Sequence, residues 1–503
     1  MAPAGSGKTT TLVARIAWLI DEGAGPDELA AITFNKRAAE ELAERLDAAL
    51  APLAVSPRTV RVRTFHALGR EILRDAGVDV SRLVQRSHVL AELFPALPPA
   101  AHGRLDTAFS RLKLDHGVTA EAVAADPDAG PMAQAFVRYE RWLTEHGALD
   151  FDDLVGRALV RLTADDSLLA RWRSRCAHLL VDELQDVDRS QLRLALLLAA
   201  PANRVFLVGD DDQSIYGWRL ADVRRIMSIG DRLPGLRRVD LEVNHRCPVP
   251  VVERAVRLIA ANRERFAKTI RPRPDAPGRL ILAPDADDGP ERMARILRSW
   301  PDDGGSRAVL ARTIAELLPA AVAAVDLGIP FRADRVALLT DDPRLDEHLA
   351  RVAAAPSNLP LLVRAGAART PDGEPGIADA VLAWAAPYRD LDTVIGAIAS
   401  FRDRVTILRR DDADLTLASA HSTKGLEFDH VAVVGLDAGR FPSARAVASA
   451  EDPDRALEEE RRLAYVAWTR ARRTLTLSYD PAVPSPFLLE AFSADELGLV
   501  STG

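Results

Sequence analysis

Cysteines and long apolar runs are what this 503-residue chain has little of. Its two cysteines, Cys176 and Cys247, supply neither a disulfide framework nor zinc-ligand spacing. No apolar run approaches the ~20 residues that a membrane span requires. Where the apolar core of a signal peptide would lie there is a glycine-lysine loop instead. These absences lead us to expect a cytoplasmic protein with no membrane partner. Lysine is scarce as well: of 65 basic residues only Lys8, Lys36, Lys113, Lys268 and Lys424 are lysines. In a chain that uses arginine almost everywhere, a lysine kept inside a motif points to a need for a compact ammonium. None of these lysines has a glutamate two places before it, so the Glu-x-Lys pair of metal nucleases is missing and nuclease chemistry within the chain is discounted. The net charge of −8 argues against indiscriminate binding to polyanions. Acidic enzymes nonetheless bind DNA along local basic tracks, so charge alone excludes little.

At this length a single hydrophobic core is exceeded, and about three or four domains are expected. Two short apolar runs, Leu179-Leu180-Val181 and Val205-Phe206-Leu207-Val208, end abruptly in carboxylates, as buried parallel strands do when they deliver polar groups to one edge of a sheet. The first leads into Asp182, Glu183, Gln185 and Asp186. The second leads into Asp210, Asp211, Asp212 and Gln213, then Tyr216, Trp218 and Arg219. Carboxylates suit a magnesium nucleotide, whereas a Tyr, Trp and Arg cluster suits stacking against bases. The N-terminus reads Ala2-Pro3-Ala4-Gly5-Ser6-Gly7-Lys8-Thr9-Thr10, followed by a helical pattern through Leu12, Ile16 and Leu19. This fits a phosphate loop, in which backbone N–H groups and a helix N-terminus cradle phosphates, Lys8 reaches the outer phosphates and Thr9 ligates magnesium. Such a loop hangs from a preceding strand. Here the chain opens on the loop, and we expect the true start to lie upstream of Met1.

Further along, the strand patterns Leu29–Phe34 and Val60–Arg63 both run into a Thr-Phe pair; either Phe alone reads equally as core packing, but the repeated placement beside small and basic residues favours backbone tracking and stacking. Asn35–Leu42 opens a helix striped at Ala38, Leu42 and Leu46. From Gly69 to Gly147 the pattern is helical, broken at Pro95, Pro98-Pro99 and Ala125-Asp126-Pro127, and reads as an inserted subdomain. The acids of Leu149–Leu154 read as a helix N-cap cluster. Val239–Arg246 reads as a strand, with a helix from about Val251. Leu280–Leu282 and Ala308–Ala311 then alternate with helices near Glu291 and Ala315, as in a second α/β domain. A weakly patterned insertion runs from Ala333 to Asp412. After it come Leu415–Phe428, the strand Val431–Val434 and a helix over Leu457–Arg473 striped at Leu463, Ala467 and Arg470. An arginine ending an apolar stripe is costly unless it meets an anion, which makes Arg470 a candidate phosphate ligand.

Taken in order, AGSGKT, TFNKRAAEEL, TFHALG, LDFDDL, VDELQD, GDDDQSIYGWR, LEVNHR, HSTKGLEF and EERRLAYVAWTRAR make nearly the whole chain similar to a superfamily 1 DNA helicase of the UvrD/PcrA/Rep type. The resemblance implies an α/β fold of two tandem RecA-like parallel-sheet domains, each interrupted by a mainly helical inserted subdomain. Residues 1–68 and 148–235 would form the first RecA-like domain, with the ATP site but without its first strand, and 69–147 its insertion. Residues 236–332 and 413–485 would form the second, carrying arginine fingers, with 333–412 a reduced insertion and 486–503 a tail. ATP and Mg²⁺ are the implied cofactors. Gly5, Ser6, Gly7, Lys8, Thr9 and Thr10 would surround the phosphates, with Thr9 and Asp182 on the metal. Glu183 would polarise the attacking water and Gln213 sense the γ-phosphate. Arg246 and Arg470 would be arginine fingers supplied from the second domain. His245 falls at the adenine position, and Gly425 and Glu427 near the γ-phosphate and ribose. Phe34, His66, Tyr216, Trp218, Arg219 and His421 match positions that line the single-strand track.

The implied activity is ATP-driven 3′-to-5′ movement along single-stranded DNA and into single/double-strand junctions, in repair or in replication and recombination, within the cytoplasm and associated with the nucleoid. A repair or nuclease protein is the implied partner class. The chain departs from the family in placing His245 where a stacking Tyr is usual, and in the shortness of 333–412. Two alternatives stay open: an ATP-gated DNA-binding scaffold with impaired catalysis, and the helicase partner of a separate nuclease in phage defence.

Overall fold

The structure, a computed structural model, describes residues 1–53, 55–56, 59–126, 128–287, 289–334, 336–356, 358–368 and 375–499. Pro127, parts of the 333–412 insertion (335, 357 and 369–374) and the end of the expected tail (500–503) lie outside the described residues. The chain divides into two compact units, Met1–Arg246 with Asn262–Arg273, and Cys247–Ala261 with Pro274–Gly503.

In the first unit, α1 (Lys8–Asp21) buries Leu12, Val13, Ile16 and Leu19 at helical spacing. β1 (Leu29–Thr33) is buried along its whole length, the signature of a central parallel strand. α2 (Lys36–Leu50) is capped by the Asn35 side chain, which accepts from Ala38 N. β2 (Arg61–Thr64) leads directly into α3 (Phe65–Asp75). The helices α4 (Arg86–Leu93), α5 (Pro99–Ser110), α6 (Ala120–Ala124) and α7 (Pro131–Glu145) share a core of their own, including Leu90, Phe109, Phe136 and Tyr139. α8 (Phe151–Ala164), α9 (Asp166–Arg175), β3 (His178–Val181), α10 (Arg189–Ala199), β4 (Val205–Leu207), α11 (Val223–Met227) and α12 (Ile229–Arg232) follow, with the short pair β5 (Val243–Asn244) and β6 (Arg271–Pro272). The main sheet runs β2-β1-β3-β4, all parallel, so the C-terminal tips of these strands share one edge.

Two expectations are corrected in this unit. Residues 69–75 pack with the sheet domain and not with the insertion: Phe65, Leu68, Ile72 and Leu73 join Leu154, Val155 and Ala158 in one core. A Cβ at Gly69 would collide with the Leu154 carbonyl, so glycine is what lets α3 and α8 approach. Of the strand expected over Val239–Arg246, only Val243–Asn244 pairs, with Arg271–Pro272. Upstream of it Val239 is 60% exposed and Leu241 N donates to Met1 O, so the segment braces the N-terminus without joining the main sheet.

The second unit comprises α13 (Val249–Ile259), β7 (Arg279–Pro284), α14 (Pro290–Ser299), β8 (Arg307–Ala311), α15 (Leu318–Asp326), β9 (Phe331–Arg332), α16 (Arg344–Ala354), α17 (Leu361–Ala367), α18 (Pro375–Ala385), α19 (Leu391–Leu408), β10 (Leu415–Ser419), β11 (Phe428–Val433), α20 (Ala444–Ala448), α21 (Pro453–Trp468), β12 (Ala471–Tyr479) and α22 (Pro486–Ala491). Its parallel sheet runs β7-β12-β11-β8-β10-β9. α16 to α19 enclose a separate core around Leu345, Val352, Val381 and Ile398.

Three expectations change here. The helix expected to reach Arg473 stops at Trp468, because Thr474-Leu475-Thr476-Leu477 alternates as a strand and is buried in β12. The described part of the expected tail is packed: Phe487 and Leu488 are fully buried, and the Tyr479 hydroxyl donates to Leu497 O at 2.9 Å. The passage between units falls after Arg246, not at 236, and residues 262–273 belong again to the first unit because β6 pairs with β5.

Candidate nucleotide and nucleic-acid site

The phosphate loop is braced on both sides. Ala2 N donates to Gly209 O beyond β4 (3.0 Å), Leu241 N to Met1 O (2.8 Å) and His245 N to Gly5 O (2.8 Å). The Asn244 amide donates to Ala4 O at 2.8 Å. Gly5 has φ 67°, and a Cβ there would lie 2.7 Å from Arg246 Cβ and 2.9 Å from Asn244 Oδ1, so no other residue fits. Gly7 stands at the N-terminus of α1, and no side chain among the described residues caps the helix there. A Cβ on Gly7 would meet nothing within 4 Å. Unsatisfied first-turn N–H groups facing open space are what an anionic phosphate chain requires. Ser6 is buried, Thr9 half-buried and Thr10 exposed, while the Lys8 ammonium donates to Ala2 O at 3.1 Å.

Beside the loop, β3 delivers Asp182, buried, and Glu183, which sits at φ 51°. A left-handed glutamate costs on the order of 1–3 kcal/mol and is kept only where its surroundings dictate it. Asp182 Oδ1 accepts from Glu183 N at 2.9 Å. The Gln185 amide donates to Glu183, while its carbonyl accepts from Asp210 N at 2.8 Å. Asp210 in turn takes the Gln213 amide at 2.5 Å. Polar contacts therefore run from the β3 tip to the β4 tip without a gap. Nearby, Asp188 caps α10 by accepting from Gln191 N at 2.9 Å, and burial pushes its carboxyl up to about 7.

Aromatic groups follow directly. Phe34 and Tyr216 stack at 5.1 Å, Tyr216 meets Trp218 edge-on at 6.2 Å, and the Arg219 guanidinium lies 4.6 Å from the Trp218 ring centroid. Phe34, His66, Trp218 and Arg219 line a cavity of about 710 Å³. Burial, with Arg219 adding to it and Asp152 opposing it, holds His66 below its ordinary value. The same cavity brings in Phe151, 49% exposed and 6.2 Å from His66, which sequence reasoning missed because LDFDDL reads equally well as a helix cap. That cap is present: Asp150 starts α8, and it is also bound by Arg86 (2.6 Å), Lys113 (2.9 Å) and the Tyr139 hydroxyl (2.8 Å). Lys268 and Arg265, which contact the Asp210–Asp212 run, were missed too; the scarcity of lysine was the only signal.

Arg246 is the last residue of the first unit's Met1–Arg246 span, and its backbone N–H binds Asn244 Oδ1 at 2.9 Å. Arg470 lies in the second unit, in the turn between α21 and β12, and is 1% exposed. Its guanidinium donates to Val466 O (2.9 Å) and Leu426 O (3.0 Å), so main-chain carbonyls offset the cost for which an anion had been invoked. In the same unit Gly425 has φ 86°, and exposed Glu427 pairs with Arg472 at 3.3 Å. Burial, reinforced by Arg312, lowers His421 to about 4, so its imidazole is neutral at pH 7.

A glycine-lysine loop opening a helix, beside parallel strands tipped with Asp-Glu and Gln, defines a phosphate-loop nucleotide-binding protein built on RecA-like sheets. Residues 1–234 match the UvrD/REP helicase N-terminal domain, and residues 395–481 match the UvrD-like helicase C-terminal domain. The chain belongs to the UvrD-like helicase family. It is 27% identical to DNA helicase II of Salmonella typhimurium, across 95% of this chain and 82% of that one. With DNA helicase II of Haemophilus influenzae it shares 28% identity, over 95% and 81%. With the ATP-dependent DNA helicase PcrA of Staphylococcus aureus it shares 32%, over 53% of this chain and 38% of the relative.

Proposed function

We propose that the chain is an ATP-dependent DNA helicase or translocase that moves 3′ to 5′ along single-stranded DNA, in repair or in replication and recombination. The observation that carries this reading is the polar path from Glu183 through Gln185 and Asp210 to Gln213, only three residues before Tyr216, which stacks on Phe34. A group that senses the terminal phosphate is thereby joined by a few covalent bonds to a surface suited to stacking bases, so a shift at one is felt at the other.

Within this reading, the loop N–H groups and Lys8 hold the phosphates. The Thr9 hydroxyl and the Asp182 carboxylate are hard oxygen donors of the kind that hold Mg²⁺ together with phosphate and water. Bound Mg²⁺ would neutralise charge on the phosphates. Glu183, fixed by its backbone and by Gln185, orients the attacking water and takes its proton. Phe34, His66, Phe151, Trp218 and Arg219 stack against bases without reading them, so no sequence preference is expected.

The test is ATP hydrolysis with and without single-stranded DNA, alongside strand displacement on 3′-tailed and 5′-tailed duplexes. Hydrolysis should be stimulated by DNA and should fall ~10²- to 10⁴-fold in Glu183→Gln. Undiminished hydrolysis by Glu183→Gln would overturn the role of that residue. Displacement confined to 5′-tailed duplexes would overturn the polarity.

A further inference from the structure

We propose that Lys268 is a positioning residue for Gln213: its ammonium fixes the Asp210 carboxylate, which in turn holds the Gln213 amide toward the terminal phosphate. This rests on reading Gln213 as the γ-phosphate sensor. Asp210, Asp211 and Asp212 are all fully buried, and three adjacent carboxylates removed from water repel one another unless cations share them. The Lys268 side chain, itself 1% exposed, reaches all three: its Nζ lies 2.7 Å from Asp210 Oδ1, 2.5 Å from Asp211 Oδ1 and 2.9 Å from Asp212 Oδ2. Arg265 binds both oxygens of Asp212 at 2.9 and 2.8 Å, and Phe266 N donates to Asp211 Oδ2 at 2.8 Å. With Oδ1 of Asp210 engaged by Lys268, Oδ2 takes the Gln213 amide.

The geometry also explains why this position is one of the few lysines. Three acceptors converge on a single nitrogen, which matches the three donors of an ammonium; a planar guanidinium cannot aim at all three. The same short segment, Asn262–Arg273, supplies β6, which pairs with the strand holding Asn244, whose amide binds Ala4 of the phosphate loop. One segment therefore buttresses the loop and the sensor together.

The test is a double-mutant cycle on the full chain, read by ATP turnover and by equilibrium binding of ATPγS and ADP. Lys268→Met should lower turnover and the preference for ATPγS over ADP about tenfold, a loss in the range of couplings between contacting groups, with ADP affinity unchanged. Lys268→Arg should not rescue either quantity. In a Gln213→Ala background Lys268→Met should change neither further. If Lys268→Met does not fold, Lys268→Met/Asp211→Asn, which rebalances the buried charge, serves in its place. An equal loss with and without Gln213, or a lowered melting temperature with triphosphate preference intact, would show Lys268 to be structural only. If Gln213→Ala alone leaves turnover and triphosphate preference unchanged, the sensor reading fails and the role of Lys268 falls with it.

Discussion

Trp218 is 58% exposed, with Arg219 over its ring and the edge of Tyr216 beside it, so aromatic surface is presented to solvent on the short turn Gly217–Arg219. Because a stacked base is worth ~1 to 3 kcal/mol, Trp218→Ala should weaken binding of a labelled oligothymidylate roughly 5- to 150-fold in fluorescence anisotropy. Phe151→Ala should show a loss of the same order, and both should leave the melting temperature within about a degree, since exposed side chains contribute little to folding. An unchanged Kd for either would remove that residue from the track. These two residues also mark what could be read in advance. Tyr216, Trp218 and Arg219 stood out because an aromatic-basic cluster directly after a carboxylate-tipped strand has little other use. Phe151 did not, because its flanking acids satisfy a helix terminus equally well. The main-chain contacts of Arg470 could not be read in advance for a related reason: the carbonyls of Leu426 and Val466 that accept from it depend on how the chain turns between α21 and β12, which composition does not reveal.

At the N-terminus of α10, Asp188 is asked both to accept from Gln191 N and to sit in a buried pocket. Burial raises its carboxyl from the ordinary 3.8 to about 7. Between those values the folded chain binds a proton that the unfolded chain has released, so this group's contribution to stability is fully present below pH 4 and declines as pH rises toward 7. Asn keeps the cap and removes the charge. Asp188→Asn should therefore match the parent below about pH 4 and melt several degrees higher at pH 8, since every tenfold difference in proton affinity between the folded and unfolded chain is worth about 1.4 kcal/mol. A variant that melts lower than the parent at pH 8 would show that the ionised carboxylate is what the helix needs. Among the elements, long amphipathic helices and buried strands such as α1, β1 and β11 were legible because their hydrophobic period is unambiguous. Val239–Arg246 was not, since its alternation resembles a strand while Leu241 spends its N–H on Met1. The end of α21 was missed because an apolar helix running into an alternating strand carries no proline or glycine between them.

Across the molecule, the two parallel-sheet units and their helical insertions were foreseen from strand and helix alternation, but the return of Asn262–Arg273 to the first unit was not. It depends on the buried ion pairs of Lys268 and Arg265 and on two residues of strand pairing, none of which has a periodic signature. The same kind of charge accounting bears on how a chain of net charge −8 binds a polyanion. Of the basic groups lining the aromatic cavity, Arg86 is already committed to Asp150 and Asp152 at 2.6 Å each, and to Asp106 at 3.0 Å. Depressed His66 is neutral at pH 7, as is His421 in the second unit. Lys36, exposed and only loosely paired with Glu40 at 3.4 Å, and Arg219 are the exposed cations beside the stacking surface. Two phosphate contacts on a single strand correspond to a log K against log [salt] slope of about −1.4, so affinity should fall only about sevenfold between 50 and 200 mM salt. It should also stay flat from pH 7 to 8, where both histidines are already neutral. Anisotropy titrations across that salt range decide the matter. A slope steeper than about −4 would mean that phosphate contacts, and not stacking, hold the strand, because each neutralised phosphate adds about −0.7.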